Sequence, residues 1–175
     1  MEAGESRRGA RSTKALTASA MFAALIFVSI AFLGIDNGMG GFIHFGDALI
    51  FTAASVLPLP YGLMVAAVGP GLFNLVRGPQ WLVFTVIIKP LMALCFTSRG
   101  AKILGSRRNI IAPFAAAAIN IALYFVAGSI LFGGWAAGAA GLWGDLVQGA
   151  GSIAFYFAIA KIMDGADIKA RLFRF

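Results

Sequence analysis

Six apolar runs, at residues 15–33, 45–57, 61–76, 81–96, 110–132 and 141–163, divide this chain, and basic residues gather between them. A helix that crosses a bilayer needs about 20 consecutive apolar residues. The first, fifth and sixth runs suit that length, whereas the second to fourth are shorter and are expected to pack inside a bundle or to leave their ends in a cavity. Pro58 and Pro60 in VLPLPYG, and Gly78 with Pro79 in VRGPQW, mark the breaks between those shorter runs. Composition agrees with a lipid setting: 60% of residues are hydrophobic and 12% charged, against roughly a quarter charged in a soluble domain, and the mean hydropathy is +0.88. At 175 residues the chain has the length of one domain. The expected architecture is therefore all-α, a bundle of six transmembrane helices.

The arginines and lysines set the orientation. With the N-terminus inside, twelve of the fourteen basic residues fall in inside segments: Arg7, Arg8, Arg11 and Lys14, then Arg99, Lys102, Arg107 and Arg108, then Lys161, Lys169, Arg171 and Arg174. Arg77 alone falls in an outside loop and Lys89 within a span, so the positive-inside rule predicts cytoplasmic N- and C-termini. The expected organisation is a flexible basic segment at 1–14, a six-helix domain at 15–163 and a basic cytoplasmic tail at 164–175. The first run exceeds a secretory h-region and lacks a small-residue cleavage site, which favours a retained helix. No repeat of 20 to 50 residues is evident. The net charge of +7 forms no basic face with readers, so it points to membrane topology and not to nucleic acid.

Polar residues inside such a chain are costly, at about 2.5 to 3.5 kcal/mol for a charge at the centre of a span. Lys89 is the clearest case, eight residues from Trp81 and seven from Phe96, more than about 10 Å from either end of its helix. In the last run Asp145, Gln148 and Ser152 follow at i, i+3 and i+7, on one helix face. Asp145 is thus a candidate partner for Lys89, either in a structural bridge or at the floor of a ligand site. Asn120 and Tyr124 share a face of the fifth run, and Asn74 and Arg77 close the third. These groups describe a pocket opening outward better than a through-channel. His44 and Asp47, in GGFIHFGDALIF, stand at the mouth. Asp47 suits a helix start, where its charge meets the helix dipole; His44 either touches a solute or belongs to a lid, with Gly38, Gly40 and Gly41 giving that loop freedom. In the first run Ala20 with Ala24, and Ser19 with Ala23, are small-xxx-small pairs that let a helix approach.

Several chemistries lack their residues. One cysteine, Cys95, allows no internal disulfide, and with one histidine it makes no usual zinc site, so neither metal nor cofactor is expected. No phosphate loop, H-E-x-x-H site or G-x-S-x-G elbow occurs. DGADIKAR resembles the opening of the membrane alcohol-phosphotransferase signature, but its arginine is misplaced and the later aspartates are absent. No catalytic residue is expected, and the chain is read as a non-enzyme.

The blocks GFIHFGDALIF, VLPLPYGLMVAAVGPGLFNLV, FTVIIKPLMAL and GDLVQGAGSI resemble, in that order, the S components of energy-coupling factor (ECF) vitamin transporters, in the branch with riboflavin-type and hydroxymethylpyrimidine-type members. Gly46, Asp47 and Ala48 match the opening of the second helix in that branch, Thr85 and Lys89 its fourth helix, and Gln148 its sixth. Asp145 stands where asparagine is usual, and Asn74 where an aspartate is frequent. The resemblance implies a subunit that captures a small vitamin or precursor at the outer face, hydroxymethylpyrimidine-, pyridoxine- or riboflavin-like. It would dock on a transmembrane T subunit driven by two cytoplasmic ATPases, with Ala20 and Ala24 facing that subunit. The substrate contacts it suggests are Lys89, Asp145, Gln148 and Asn120 as polar groups, Tyr124 and Trp143 as walls, Asn74 at the mouth and His44 in the loop above. A structural or assembly membrane protein, and a self-contained channel or secondary carrier, are the competing readings.

Overall fold

The computed structural model describes residues 2–36 and 42–173, with side chains at 12–35 and 43–172. The glycines Gly38, Gly40 and Gly41 lie outside the described residues. Among the described residues the order is α1 (Glu2–Leu33), β1 (Ile35–Asp36), β2 (Phe42–Ile43), α2 (Gly46–Val56), α3 (Leu59–Arg77), a 3-10 turn (Pro79–Trp81), α4 (Leu82–Ala93), α5 (Arg107–Phe132), α6 (Trp135–Gly165) and α7 (Ile168–Phe173). The all-α expectation has one small exception: β1 and β2 pair antiparallel, Ile35 opposite Ile43, across the loop between α1 and α2.

Each of the six apolar runs contains a helix, but only four are long and apolar enough to cross a bilayer: Ser12–Leu33 within α1, then α3, α5 and α6. At 11 and 12 residues, α2 and α4 reach only about 16 to 18 Å, against a hydrocarbon core of about 30 Å. The reason for α2 lies in its placement. Ten of its eleven residues are buried, which is how a helix apolar on every side behaves when it is enclosed by others. It packs against α1, α3, α4 and α6 and forms the centre of the bundle. Large apolar side chains such as Met21, Leu72, Phe114 and Ile162 are instead exposed on the outer helices, the surface a bilayer would cover.

Local chemistry sets the helix ends. Pro58 and Pro60 flank the start of α3, where the missing amide hydrogens cost nothing. Between α5 and α6 the chain reverses through Gly133 (φ 82°) and Gly134 (φ 143°), conformations a side chain would strain. This turn starts α6 six residues ahead of the apolar run expected there. The helix of α1 runs back to Glu2, through the basic segment expected to be flexible. In the 164–175 segment α7 folds back so that Lys169 is buried.

The interior of the bundle is closed on one side of its middle. Phe51 stacks on Phe96 with centroids 5.0 Å apart, and Tyr156 meets both rings edge-on at 6.0 and 5.4 Å. All three are buried, and the Tyr156 and Ser55 hydroxyls hydrogen-bond at 2.9 Å. Below them Asn109 ties the α4–α5 connection, accepting from the Thr97 N–H and donating to the Thr97 and Ile103 carbonyls. Asp164 accepts from the Ile103 and Leu104 N–H groups. The aromatic cluster and the tied connection fill the bundle near the end of α4 and the start of α5.

Candidate functional site: a polar pocket at the open end of the bundle

The open end is where α1, α3 and α5 finish and α2, α4 and α6 begin. A pocket there is walled by Ile30 of α1, Phe73 of α3, Trp81 before α4, and Tyr124 and Phe132 of α5. Trp81 lies 5.6 Å from Tyr124 and 5.8 Å from Phe132 between ring centroids, so three rings form one side. Glycines supply the space opposite: Gly128, Gly138 and Gly141 line it too. Seven of the eight expected contact residues share this pocket: His44, Asn74, Lys89, Asn120, Tyr124, Asp145 and Gln148. Trp143 does not. It is 75% exposed on the outward side of α6, because two residues along a helix turn it well away from Asp145.

The polar groups form two connected sets. Asn74 Nδ2 donates to Thr85 Oγ1 at 2.6 Å, and the Thr85 and Tyr124 hydroxyls share a hydrogen bond at 2.7 Å. Lys89 Nζ donates to Asp47 Oδ1 at 2.7 Å and to Asn120 Oδ1 at 2.9 Å, and stands over the Tyr124 ring 5.1 Å from its centroid. Gln148 Nε2 donates to the other oxygen of Asp47 at 2.7 Å, while its own Oε1 accepts from the His44 backbone N–H at 3.3 Å. Each helix around the pocket except α1 thus contributes to one or other set; the two meet where Lys89 stands over the Tyr124 ring, and the second ends at the loop ahead of α2.

The expected pairing of Lys89 with Asp145 is corrected here. Lys89 is ion-paired with Asp47, at 3% and 2% exposure. Asp47 lies in the first turn of the central helix, so its carboxylate is aimed into the bundle at the depth Lys89 reaches. Asp145 lies on peripheral α6, and among the described residues it accepts no hydrogen bond. A buried carboxylate that holds a lysine, a glutamine amide and the positive end of a helix dipole is well stabilised. The helix-start reading of Asp47 therefore describes half of its surroundings, and the ion pair the other half.

His44 sits outside the spanning helices. Its Nδ1 accepts from the Gly46 N–H at 3.1 Å, which requires an unprotonated Nδ1 and places the ring hydrogen on Nε2. Burial lowers its pKa to about 4, overcoming the opposing pull of the Asp47 carboxylate. Gly46 has to be glycine for this contact, since a Cβ there would meet His44 Nδ1 at 2.9 Å.

Two lining residues escape the reading of polar positions. Trp81 and Thr85 lie with Lys89 at i, i+4 and i+8 along one face of the α4 region; that spacing was the available signal for Trp81. The Trp81 indole N–H is buried with no hydrogen-bond partner among the described residues. Such a donor costs free energy unless something accepts from it.

No curated protein and no solved structure matches the chain. A family model, the ECF-type riboflavin transporter S component, matches residues 10–164, a stretch that takes in every helix contributing to the pocket. The chain therefore belongs to the family of ECF-type riboflavin transporter S components.

Proposed function

We propose that this chain captures a small water-soluble vitamin or vitamin precursor from the outer side of the cell membrane and presents it for ATP-driven uptake by partner subunits. The observation that carries this reading is the pocket at the open end of the bundle. It combines three aromatic rings with a few convergent polar groups, the usual build of a site for a small flat molecule, above an aromatic cluster that fills the bundle. In this reading the open end faces outward, both termini are cytoplasmic, and the six helices all lie within the membrane region. Solute enters beside the 34–46 loop, which closes through the Gln148 bond to His44. A T subunit and two ATPases supply the energy, docking along the α1 face that carries Ala20 and Ala24, and tip the loaded bundle toward the cytoplasm.

The test is purification of the full chain from cells grown without added vitamins, followed by mass spectrometry of the released small molecule. A flat heteroaromatic vitamin or precursor is expected. Uptake of that compound by vesicles should require the T subunit and both ATPases; uptake by the chain alone would overturn the assignment.

A further inference from the structure

The last two long helices exceed a bilayer. α5 has 26 residues and α6 has 31, about 39 and 46 Å of helix, against a hydrocarbon core of about 30 Å. They run antiparallel in constant register: a Cβ added to Gly128 would lie 3.5 Å from the Gly138 Cα, and one added to Gly149 would lie 3.4 Å from the Ala117 Cβ. Trp143 is therefore level with Leu123, and Lys161 with the start of α5, where Arg107 is exposed.

Exposed side chains mark the part that a hydrocarbon core can cover. Lys161 follows Trp143 by eighteen residues on the outward side of α6, about 27 Å. On α1 the exposed Lys14 and Phe32 stand the same eighteen residues apart. α3 starts level with α1 at the Ser12–Tyr61 hydrogen bond and reaches the exposed Arg77 sixteen residues past Tyr61, about 24 Å. Three helices thus give one thickness, with Phe32, Arg77 and Trp143 at the open end and Lys14, Arg107 and Lys161 at the other.

The ring of Trp135 comes to the same level. Trp135 starts α6 eight residues ahead of Trp143, but its indole lies back on Phe125, with centroids 5.5 Å apart, within two residues of the level of Trp143. Both indoles are largely exposed, at 69% and 75%, and neither lines the pocket. An exposed indole is costly in water, where its ring is apolar, and in hydrocarbon, where its N–H is polar; the boundary between them suits both parts.

We propose that Trp135 and Trp143 form a docking surface for the lipid headgroup layer. It sets the depth of the bundle: the polar floor at Lys89, Asn120 and Gln148 lies inside the hydrocarbon core, and the rim at Phe132, Ala137 and Gly138 stands clear of it. Gln148 is five residues below Trp143 along α6, about 7.5 Å, whereas Ala137 is six residues above it. A solute therefore meets the rim at headgroup level and crosses no hydrocarbon on its way to the polar groups.

Fluorescence depth quenching of the full chain in phosphatidylcholine vesicles tests this. Trp81→Phe with Trp135→Phe leaves Trp143 as the reporter, and Trp81→Phe with Trp143→Phe leaves Trp135. Each should be quenched more by lipid brominated at acyl carbons 6 and 7 than at carbons 11 and 12. Where a double variant does not fold, the quenching lost between the natural chain and each single Trp→Phe variant isolates the same signal. Stronger quenching of either indole by the deeper bromines, or quenching by aqueous acrylamide and by neither bromine, overturns the docking surface. In a Cys95→Ala background, Ala136→Cys should react with a charged, membrane-impermeant maleimide and Ala154→Cys should not. An unreactive Ala136→Cys, or equal reaction at both positions, puts the rim inside the core and overturns the proposal. No ligand enters either measurement, so failure here leaves vitamin capture standing.

Discussion

Lys89 holds the centre of the site together before it can do anything for a ligand. Its ammonium group joins α4 to α2 through Asp47 and to α5 through Asn120. Replacing it with methionine strands a carboxylate at 2% exposure, a loss of about 3 to 5 kcal/mol when one partner of a buried pair is removed. Lys89→Met should therefore lower the unfolding temperature in detergent, and Lys89→Met combined with Asp47→Leu should recover most of the loss. A purely ligand-contacting lysine would instead weaken binding and leave unfolding unchanged. The importance of Lys89 was legible in the sequence from its depth in an apolar run. Its partner was not, because Asp47 and Asp145 lie at comparable depths on different helices and only their packing decides which one meets the lysine. His44 makes a second prediction. Its folded-state pKa of about 4 lies below the ordinary 6.5, so between those values the unfolded chain binds more protons than the folded one. Stability is fully present above about pH 6.5 and falls as the pH drops toward 4, at no more than about 1.4 kcal/mol per unit. His44→Asn, whose amide oxygen can replace Nδ1 as acceptor for the Gly46 N–H without titrating, should flatten unfolding temperature against pH in that window.

Among the elements, the pair α5 and α6 shapes the pocket as much as its side chains do. The two helices meet at Gly128 and Gly138, where a Cβ added to Gly128 would lie 3.5 Å from the Gly138 Cα. A Cβ on Gly138 itself would collide with the Ser129 hydroxyl and the Phe125 carbonyl of α5. Since both glycines also line the pocket, Gly138→Val should push the helices apart, cost about 1 to 3 kcal/mol as an overpacked contact, and weaken ligand binding in the same variant. Gly141→Ala, inside α6 and with nothing within 4 Å of its added Cβ, is the control that should raise stability by up to about 1 kcal/mol through helix propensity and not lower it. The shortness of α2 and α4 was legible from the apolar runs and prolines, whereas α3, expected to be as short, is long enough to cross a bilayer. The early start of α6 was not legible. Residues 135–140 carry too few bulky apolar groups to extend the run, and they join the helix because a two-glycine turn returns the chain directly against α5. Trp143 was misplaced for a related reason: membership of a helix with Asp145 does not put two residues on the same face.

At the scale of the whole molecule, one side of the bundle is left unlike the rest. The small pairs of α1 divide between two duties. Ser19 is buried and Ala23 faces α3, where its carbonyl lies 3.2 Å from a Cβ added to Gly69; this pair lets two helices of the same chain approach. Ala20 and Ala24 are exposed, in an i+4 row with Leu16 at 57% and Val28 at 46% exposure. A row of small side chains on an outward helix face admits another helix backbone at close range, where bulky residues hold neighbours off. The row lies outside the pocket, whose α1 contribution is Ile30. Capture and delivery can therefore be separated by substitution. Ala20→Trp with Ala24→Trp should leave vitamin affinity within about twofold, since packing far from a site seldom couples to it, and should abolish copurification with a T subunit and vitamin uptake by the complete assembly. Loss of affinity in the isolated double variant would mean that α1 supports the pocket. Uptake at the normal rate would place the docking surface elsewhere, with the exposed alanine row then facing lipid alone.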